Sequence, residues 1–339
     1  MRDARTPGWK PGKNMLFLSS RDVRESISMR EAIEAAAAAY AAVSGGAAQV
    51  PVRTPVHVQE QDGVSLFMPG AVPGAVGMKM ASVFPRNPSR GLPVVLAAVL
   101  MVDPETGAPA CLMEGTYLTA LRTGAAAAVA SDHMARRDAC VAAIFGAGVQ
   151  ARTQLMGLLE VRRLSEIRIV DINMERARGL ADELAGLRDG PRVLVAPAAG
   201  EAVRGADIIV TATTSRTPLF DAECLKAGAH INGIGSFKPD MQEIGEDTVL
   251  RADRIIVDSR DAALEEAGDI IIPLRKGLIN DTKIAGEIGD LVRGRMPGRT
   301  SPSEITFCKM VGLSALDVTV GSAVFAKAVA EGKGTLVDL

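Results

Sequence analysis

The chain has 339 residues, and its 38 lysines and arginines against 40 aspartates and glutamates give a net charge of −2. This balance, together with only 3% aromatic residues, argues against a nucleic-acid-binding protein, which would present a basic surface and stacking side chains. An apolar fraction of 47% excludes a mainly disordered chain, and the length exceeds what one hydrophobic core usually serves, so we expect two domains.

The first half of the chain predicts strands with few helices between them. Ser28 and Glu31 form a capping box, so a helix is expected to begin there, run to Val43 and end at Gly45. Strands are expected at 50–58, which alternates as a half-buried strand does, and at 64–68, 77–84 and 92–102. A turn at 103–107 leads into the segment ACLMEG, and a helix is expected at about 116–135. Hairpin-like strands of this kind favour an α+β domain with a mixed or antiparallel sheet.

Strands and helices alternate after residue 138. Strands are expected at 139–145, 166–170, 193–195, 207–212, 229–233 and 254–259, with helices from 149 and at about 174–188. Their continuous apolar runs are typical of a doubly wound parallel sheet with helices on both faces. A last helix, at about 313–331, follows a strand-like segment and could return to the first domain. We therefore expect a substrate-binding domain at 15–135 plus 310–339 and a Rossmann dinucleotide-binding domain at 136–309.

Three kinds of feature are expected to be absent. The first 14 residues mix charges with Pro and Gly, which predicts a flexible leader and not a signal peptide. The longest apolar run, 92–102, is shorter than the roughly 20 residues that span a bilayer, so we expect no membrane partner. Four scattered cysteines and three histidines predict no metal site and reduced thiols, as in the cytoplasm.

A dinucleotide fingerprint, GxGxxA, connects strand 139–145 to the helix that follows. Gly146 allows the tight turn, Gly148 lets the backbone approach a pyrophosphate, and Ala151 lets the helix pack closely. The next strand ends at Asp171, whose carboxylate would hold the ribose hydroxyls and repel a 2′-phosphate. The pattern therefore favours NAD(H) over NADP(H).

Two further features bear on the cofactor. Arg176, in the helix after Asp171, could accept a phosphate, which leaves NADP(H) as the alternative. Thr211 and Thr213 lie at the carboxyl end of a later strand, where open α/β sheets bind ligands. They are candidates to line the nicotinamide path, the alternative being an ordinary polar strand end.

Three cations lie within otherwise apolar segments. Arg53 is in PVRTPVHV, Lys79 in GMKMASVF and Arg122 in TYLTALRTGAAAA, and none has an acidic neighbour in its segment. Because an unpaired buried charge is costly, the three predict an anionic ligand, such as a carboxylate gripped by a bidentate arginine. The alternative for each is a solvated side chain on an outer face.

These segments, in this order, resemble the ornithine cyclodeaminase/mu-crystallin family. The matching segments are PVRTP, GMKMAS, TYLTALRTGAAAA, FGAGVQA, NGIGSFKPDMQE and FCKMVGLSALD. The resemblance implies that Arg53, Lys79 and Arg122 bind the substrate carboxylate. It also implies a homodimer built through the non-Rossmann domain, whose mixed sheet would form the interface.

The resemblance also places Thr123 beside the dinucleotide phosphates and Gln150 against the cofactor. Together with the fingerprint and the strand ends, it gives a set of expected cofactor-binding residues: Thr123, Gly146, Ala147, Gly148, Val149, Gln150, Asp171, Arg176, Thr211, Thr213, Gly233 and Gly235.

One segment departs from the cyclodeaminase pattern. In those enzymes the loop after the Ile231 strand carries an aspartate that handles the substrate amine. Alignment on Pro239 and Glu243 places Phe237 at that position, and phenylalanine cannot accept a proton. Asp240 could act in its place as a catalytic residue, or it could cap a short helix starting at the next residue.

The loss of that aspartate favours simple reduction of a C=N bond. Hydride would pass from nicotinamide to the α-carbon of a 2-imino acid while Arg53 and Arg122 fix the carboxylate and Lys79, if burial lowers its pKa, donates a proton. Expected substrates are pyrroline-2-carboxylate, piperideine-2-carboxylate, iminosuccinate or the imine of pyruvate. The alternatives are an ornithine or lysine cyclodeaminase, which uses NAD catalytically, and a mu-crystallin-like nicotinamide-binding protein with little turnover.

Overall fold

The computed structural model describes residues 9–186 and 190–339. The described chain forms two compact units, one that ends at Arg122 and resumes from Leu313 to Leu339, and one that comprises Thr123–Gly312. The two units therefore divide after Arg122 and after Gly312, whereas the sequence predicts divisions after residues 135 and 309. Within the described ranges, no helix combines the length and apolarity needed to cross a membrane.

The first unit is built on a mixed seven-stranded sheet. Its strands are β1 (Asn14–Leu18), β2 (Thr54–Val58), β3 (Gly63–Val72), β4 (Ala75–Val83), β5 (Val95–Val102), β6 (Pro109–Glu114) and β15 (Thr335–Asp338). The order is β15-β1-β6-β5-β4-β3-β2, and only β1 and β6 run parallel. Its helices are α1 (Ser20–Ser26), α2 (Met29–Ser44), α11 (Ser314–Glu331) and the start of α3 (Gly115–Met134).

Local sequence signals explain where these helices begin. Ser28 and Glu31 form the expected capping box of α2. The Glu114 carboxylate accepts hydrogen bonds from the amides of Thr116 and Tyr117, which satisfies the first turn of α3. Helix α11 packs against β3, β4 and β5 and against α2, so it covers one face of the sheet.

Two expectations for this unit need correction. All five residues of β2 are exposed, so the strand, which forms one edge of the sheet, is not half-buried. Residues 1–8 of the proposed flexible leader lie outside the described residues. From residue 9 onward it differs from a flexible segment, because Trp9 is buried edge-to-face against Phe325 and β1 begins at Asn14.

The second unit is an eight-stranded parallel sheet with helices between its strands. Its strands are β7 (Val141–Phe145), β8 (Glu166–Val170), β9 (Arg192–Val195), β10 (Ile208–Thr211), β11 (His230–Gly233), β12 (Arg254–Val257), β13 (Ile284–Glu287) and β14 (Thr306–Lys309). Its helices, after the end of α3, are α4 (Val149–Val161), α5 (Met174–Ala185), α6 (Ala199–Val203), α7 (Glu246–Arg251), α8 (Arg260–Glu266), α9 (Gly268–Arg275) and α10 (Ile288–Val292). The end of the helix expected at 174–188 falls partly outside the described residues.

The strand order confirms the expected doubly wound fold. The order is β13-β12-β14-β11-β10-β7-β8-β9, and every pair is parallel. The chain therefore reverses its winding between β7 and β10, and open α/β sheets bind ligands at such a switch point. Strand β10 is buried along its whole length, which is why it reads as a continuous apolar run.

Candidate active site

A buried ion cluster lies within the first unit. The Lys79 ammonium is 2.8 Å from both oxygens of the Asp317 carboxylate. Nε of Arg122 is 3.0 Å from Oδ1 of the same carboxylate. The side chains of Lys79, Arg122 and Asp317 are only 2%, 8% and 0% exposed. Neither Lys79 nor Arg122 has an acidic neighbour in its own segment, but the fold brings Asp317 to both of them.

Three separate elements bring this cluster together. Lys79 lies at the centre of β4, paired with Met68 of β3 and Val99 of β5. Asp317 lies in the first turn of α11, where the helix dipole stabilises a carboxylate. A Cβ atom at Gly70 would lie 2.8 Å from the Ser314 hydroxyl, so glycine allows β3 to approach the start of that helix.

The cluster keeps an excess of positive charge. Protonated Lys79 and Arg122 face one carboxylate, a formal charge of 2 − 1 = +1, and Arg53 is close enough to act on Lys79 electrostatically. Burial lowers the pKa of Lys79 from 10.5 to about 7, and repulsion by Arg122 and Arg53 adds to the effect while attraction by Asp317 opposes it. Lys79 can therefore gain or lose a proton near neutral pH.

The glycine turn of the second unit has the geometry that a pyrophosphate requires. Gly146 adopts a φ of 97°, and a Cβ atom there would lie 2.7 Å from the Ala212 carbonyl oxygen. A Cβ at Gly148 would meet no described atom within 4 Å, and no described side chain caps α4 at this end. Oε1 of Gln150 is buried without a hydrogen-bond partner in the described chain. Open space and uncapped amides fit the pyrophosphate of a dinucleotide at this turn.

Asp171 braces the same turn. Its Oδ2 accepts a hydrogen bond of 2.7 Å from the Ala147 amide, and its Oδ1 accepts one of 2.7 Å from the Asn173 amide. The carboxylate is thus held at the end of β8, at the position that would meet an adenosine ribose.

The strand-end residues expected to line the cofactor share one partner. The hydroxyl of Thr211 donates to Glu243 at 3.0 Å, and Thr213 donates through its amide and hydroxyl at 2.6 and 2.7 Å. The Gly235 amide donates to the same carboxylate at 2.7 Å. In the sequence Glu243 is only an alignment anchor, and no local pattern indicates this role.

The remaining residues expected at the cofactor lie in varied surroundings. Thr123 is almost fully buried on α3, whereas Val149 and Arg176 are exposed at the start of α4 and on α5. A Cβ at Gly233 would lie 2.9 Å from the ring of Phe307, so glycine there serves close packing.

The loop that carries Asp240 differs from one of the two expectations. The described chain forms a turn at Asp240, and the next helix, α7, begins at Glu246, so the helix-cap interpretation is wrong. The Asp240 carboxylate is 57% exposed and pairs with Arg216 at 3.1 Å. Phe237 is half-buried, and the Lys238 ammonium lies 5.8 Å from its ring centroid.

The histidine, cysteine and carboxylate side chains of the described residues form neither a metal-binding cluster nor a disulfide. Within residues 9–186 and 190–339, no group of three or more His, Cys, Asp or Glu could hold a metal ion. All four cysteines are free, and burial raises the pKa of Cys111 to about 12, which makes that thiol inert.

The strand order and the glycine turn define the class of Rossmann-fold proteins with a second, mixed-sheet unit. The chain belongs to the ornithine cyclodeaminase/mu-crystallin family, whose sequence model matches residues 13–332.

Three relatives indicate the branch of the family. A Δ(1)-pyrroline-2-carboxylate reductase of Bacillus cereus is 36% identical over 326 residues, which cover 96% of this chain and 100% of the relative. The Thermococcus litoralis enzyme of the same name, solved with NADH and L-proline, is 41% identical with a TM-score of 0.92, covering 95% of this chain and 100% of that chain. An archaeal alanine dehydrogenase dimer with bound NAD is 34% identical with a TM-score of 0.90, covering 96% and 99%.

Proposed function

We propose that this protein is an NADH-dependent reductase of a small 2-imino acid, with Δ(1)-pyrroline-2-carboxylate, reduced to L-proline, as the preferred substrate. The observation that carries the proposal is the buried cluster of Lys79, Arg122 and Asp317, which keeps a net positive charge and holds a lysine that titrates near neutral pH. The names of the relatives at 36% and 41% identity support the same reaction.

The arginines are assigned to the substrate carboxylate. Arg122 approaches Asp317 through Nε, so we assign its terminal nitrogens to the substrate, because that pair grips carboxylates in a planar fork. Arg53 supplies the second cation. A carboxylate bound here would reduce the excess positive charge, which makes binding electrostatically favourable.

We assign Lys79 as the proton donor. When bound, the reduced nicotinamide supplies the hydride for the α-carbon of the C=N bond. Lys79 donates a proton to the imine nitrogen. The resulting iminium accepts the hydride at its α-carbon, and the product is an amine. A pKa of about 7 suits a donor that works at neutral pH, because protonated and neutral forms are both populated.

The cofactor preference is assigned to Asp171. Its carboxylate ends β8 and would bind ribose hydroxyls while repelling a 2′-phosphate. Arg176, the residue that could favour NADP(H), is exposed on α5. Thr123 directly follows Arg122 on α3, so one helix carries both a substrate anchor and the residue expected at the phosphates.

We further propose a homodimer built through the first unit, at work in the cytoplasm. Large apolar side chains are exposed around its sheet, among them Val56 at 50%, Val95 at 38% and Leu96 at 41%. Exposed apolar side chains in one sheet are consistent with a protein–protein interface there. The archaeal alanine dehydrogenase is a dimer by its own description.

Substrate turnover tests the proposal. Purified protein with NADH and Δ(1)-pyrroline-2-carboxylate should lose absorbance at the nicotinamide band while L-proline accumulates. Iminosuccinate and pyruvate with ammonia, offered in parallel, rank the linear substrates. Ammonia release from L-ornithine with catalytic NAD⁺ would instead identify a cyclodeaminase, and NADH binding without oxidation by any imine would identify a binding protein.

A further inference from the structure

A single buried carboxylate joins two strand ends of the parallel sheet. Glu243, 0% exposed, accepts hydrogen bonds from Thr211 at the end of β10, from Thr213 just after it, and from the amides of Gly235 and Ser236 after β11. Five donors therefore converge on two oxygens. Such a carboxylate fixes both segments at once, because each donor would otherwise be left unsatisfied.

A second buried pair holds Glu243 in place from behind. Oδ1 of Asp269 accepts hydrogen bonds from the Glu243 and Ile244 amides at 2.7 and 3.0 Å. Oδ2 of Asp269 is 2.9 Å from the Lys309 ammonium, with both side chains 0% exposed. Lys309 ends β14, so the chain of contacts runs across the carboxyl ends of three neighbouring strands, β10, β11 and β14.

This chain of contacts ends at the switch point. A Cβ on Gly146 would lie 2.7 Å from the Ala212 carbonyl oxygen and 3.6 Å from the Thr213 methyl group. The segment that Glu243 holds thus lines the glycine turn on the β10 side, whereas Asp171 holds the turn on the β8 side. In a dinucleotide site of this fold the adenosine lies on the β8 side, and the other half of the cofactor extends past β7 towards β10.

We propose that Glu243 is a positioning residue that fixes the nicotinamide half of the cofactor crevice, while the adenosine half is held independently by Asp171. The inference rests on the proposed function, since it needs a dinucleotide in the crevice. A substitution at Glu243 should therefore weaken binding of the complete cofactor while leaving binding of its adenosine half unchanged.

The test is the affinity of Glu243→Gln for NADH and for ADP-ribose, which lacks the nicotinamide. The glutamine side chain keeps one acceptor oxygen, but its NH₂ nitrogen cannot accept, so at least one of the backbone amides that now donate to Glu243 loses its partner. We expect the Kd of NADH to rise at least about tenfold, while the Kd of ADP-ribose stays within about twofold. Thr213→Val removes the hydroxyl that donates to Glu243 and accepts from the Ser215 amide but leaves the other four donors to Glu243, so it should show the same selectivity with a smaller rise.

Asp207→Asn is the matched control. Asp207 is 3% exposed and accepts hydrogen bonds from the Cys140 and Val141 amides, but it lies at the opposite, amino end of the sheet. Its variant should lower the melting temperature without changing the ratio of the two Kd values.

The inference alone is overturned if Glu243→Gln weakens the binding of NADH and of ADP-ribose equally, or if the folded variant binds both as tightly as the wild type does. Absence of NADH and ADP-ribose binding by the wild type would overturn the proposed function. If Glu243→Gln does not fold, Thr213→Val decides by the same ratio.

Discussion

Replacing Asp317 with asparagine should shift the pH dependence of catalysis. Asparagine keeps the size of the side chain and one acceptor oxygen but removes the charge that lies 2.8 Å from the Lys79 ammonium. Asp317 is the group that raises the pKa of Lys79 against burial and against Arg122 and Arg53. Without it the pKa of Lys79 falls further below its wild-type value of about 7.

The sign of the effect on activity follows from the role of Lys79. If the protonated amine is the donor, kcat/KM declines as the pH rises through the pKa of the free enzyme. In Asp317→Asn the decline should begin at lower pH. Each unit of pKa lost reduces the protonated fraction on the alkaline side about tenfold. The variant should also unfold more easily, by about 3–5 kcal/mol, because two buried cations lose their partner.

The assay is kcat/KM for imine reduction from pH 5 to pH 9, run well below the melting temperature of the variant. Lys79→Arg is the control, because its guanidinium stays protonated over the whole range and the alkaline decline should vanish with most of the activity. An alkaline decline at the same pH in Asp317→Asn and in the wild type would refute the coupling between Asp317 and Lys79.

Three further predictions concern the anchor, the cofactor and acid stability. Arg122→Ala should lower kcat/KM at least ~10²-fold, the loss of a charged anchor worth about 3 kcal/mol, and near-normal kinetics would defeat that assignment. Asp171→Ser should raise the ratio of kcat/KM with NADPH to that with NADH at least about tenfold, and an unchanged ratio would place the discrimination elsewhere. Burial lowers the pKa of His230 to about 3, so the neutral ring is favoured in the fold and stability is lost as the pH falls from about 6.5. His230→Gln should therefore show a smaller drop in melting temperature between pH 7 and pH 5 than the wild type. The control variant at the exposed His57, His57→Gln, should show the drop of the wild type. Equal drops in the wild type and both variants would contradict the assignment.

The sequence predicts those parts of the fold that depend on neighbours along the chain. The capping box at Ser28, the glycine turn after β7 and the alternating strands of the second unit are local patterns, and the structure contains them. The short β1 and β15 were not predicted, because each is paired by a segment from the other end of the chain. Their pairing is a property of the fold and not of either segment.

The same distinction separates the parts of the site. Lys79 and Arg122 stand out as charges in apolar segments, but their partner Asp317 lies 238 positions from Lys79 along the chain. An aspartate near the start of a helix is ordinary in sequence, so only the packing of α11 on the sheet reveals its role. Glu243 escaped notice for the same reason, since its five donors come from two separate loops.

A crystal structure of the protein with NADH and pyrrole-2-carboxylate, a planar analogue of the cyclic imine, would show directly whether the arginines bind the substrate carboxylate. We expect the ligand carboxylate within hydrogen-bonding distance of the terminal nitrogens of Arg122 and of Arg53, with the Lys79 ammonium facing the ring nitrogen or the carboxylate. A carboxylate bound away from both arginines, or a ligand that leaves the cluster around Asp317 untouched, would contradict this assignment.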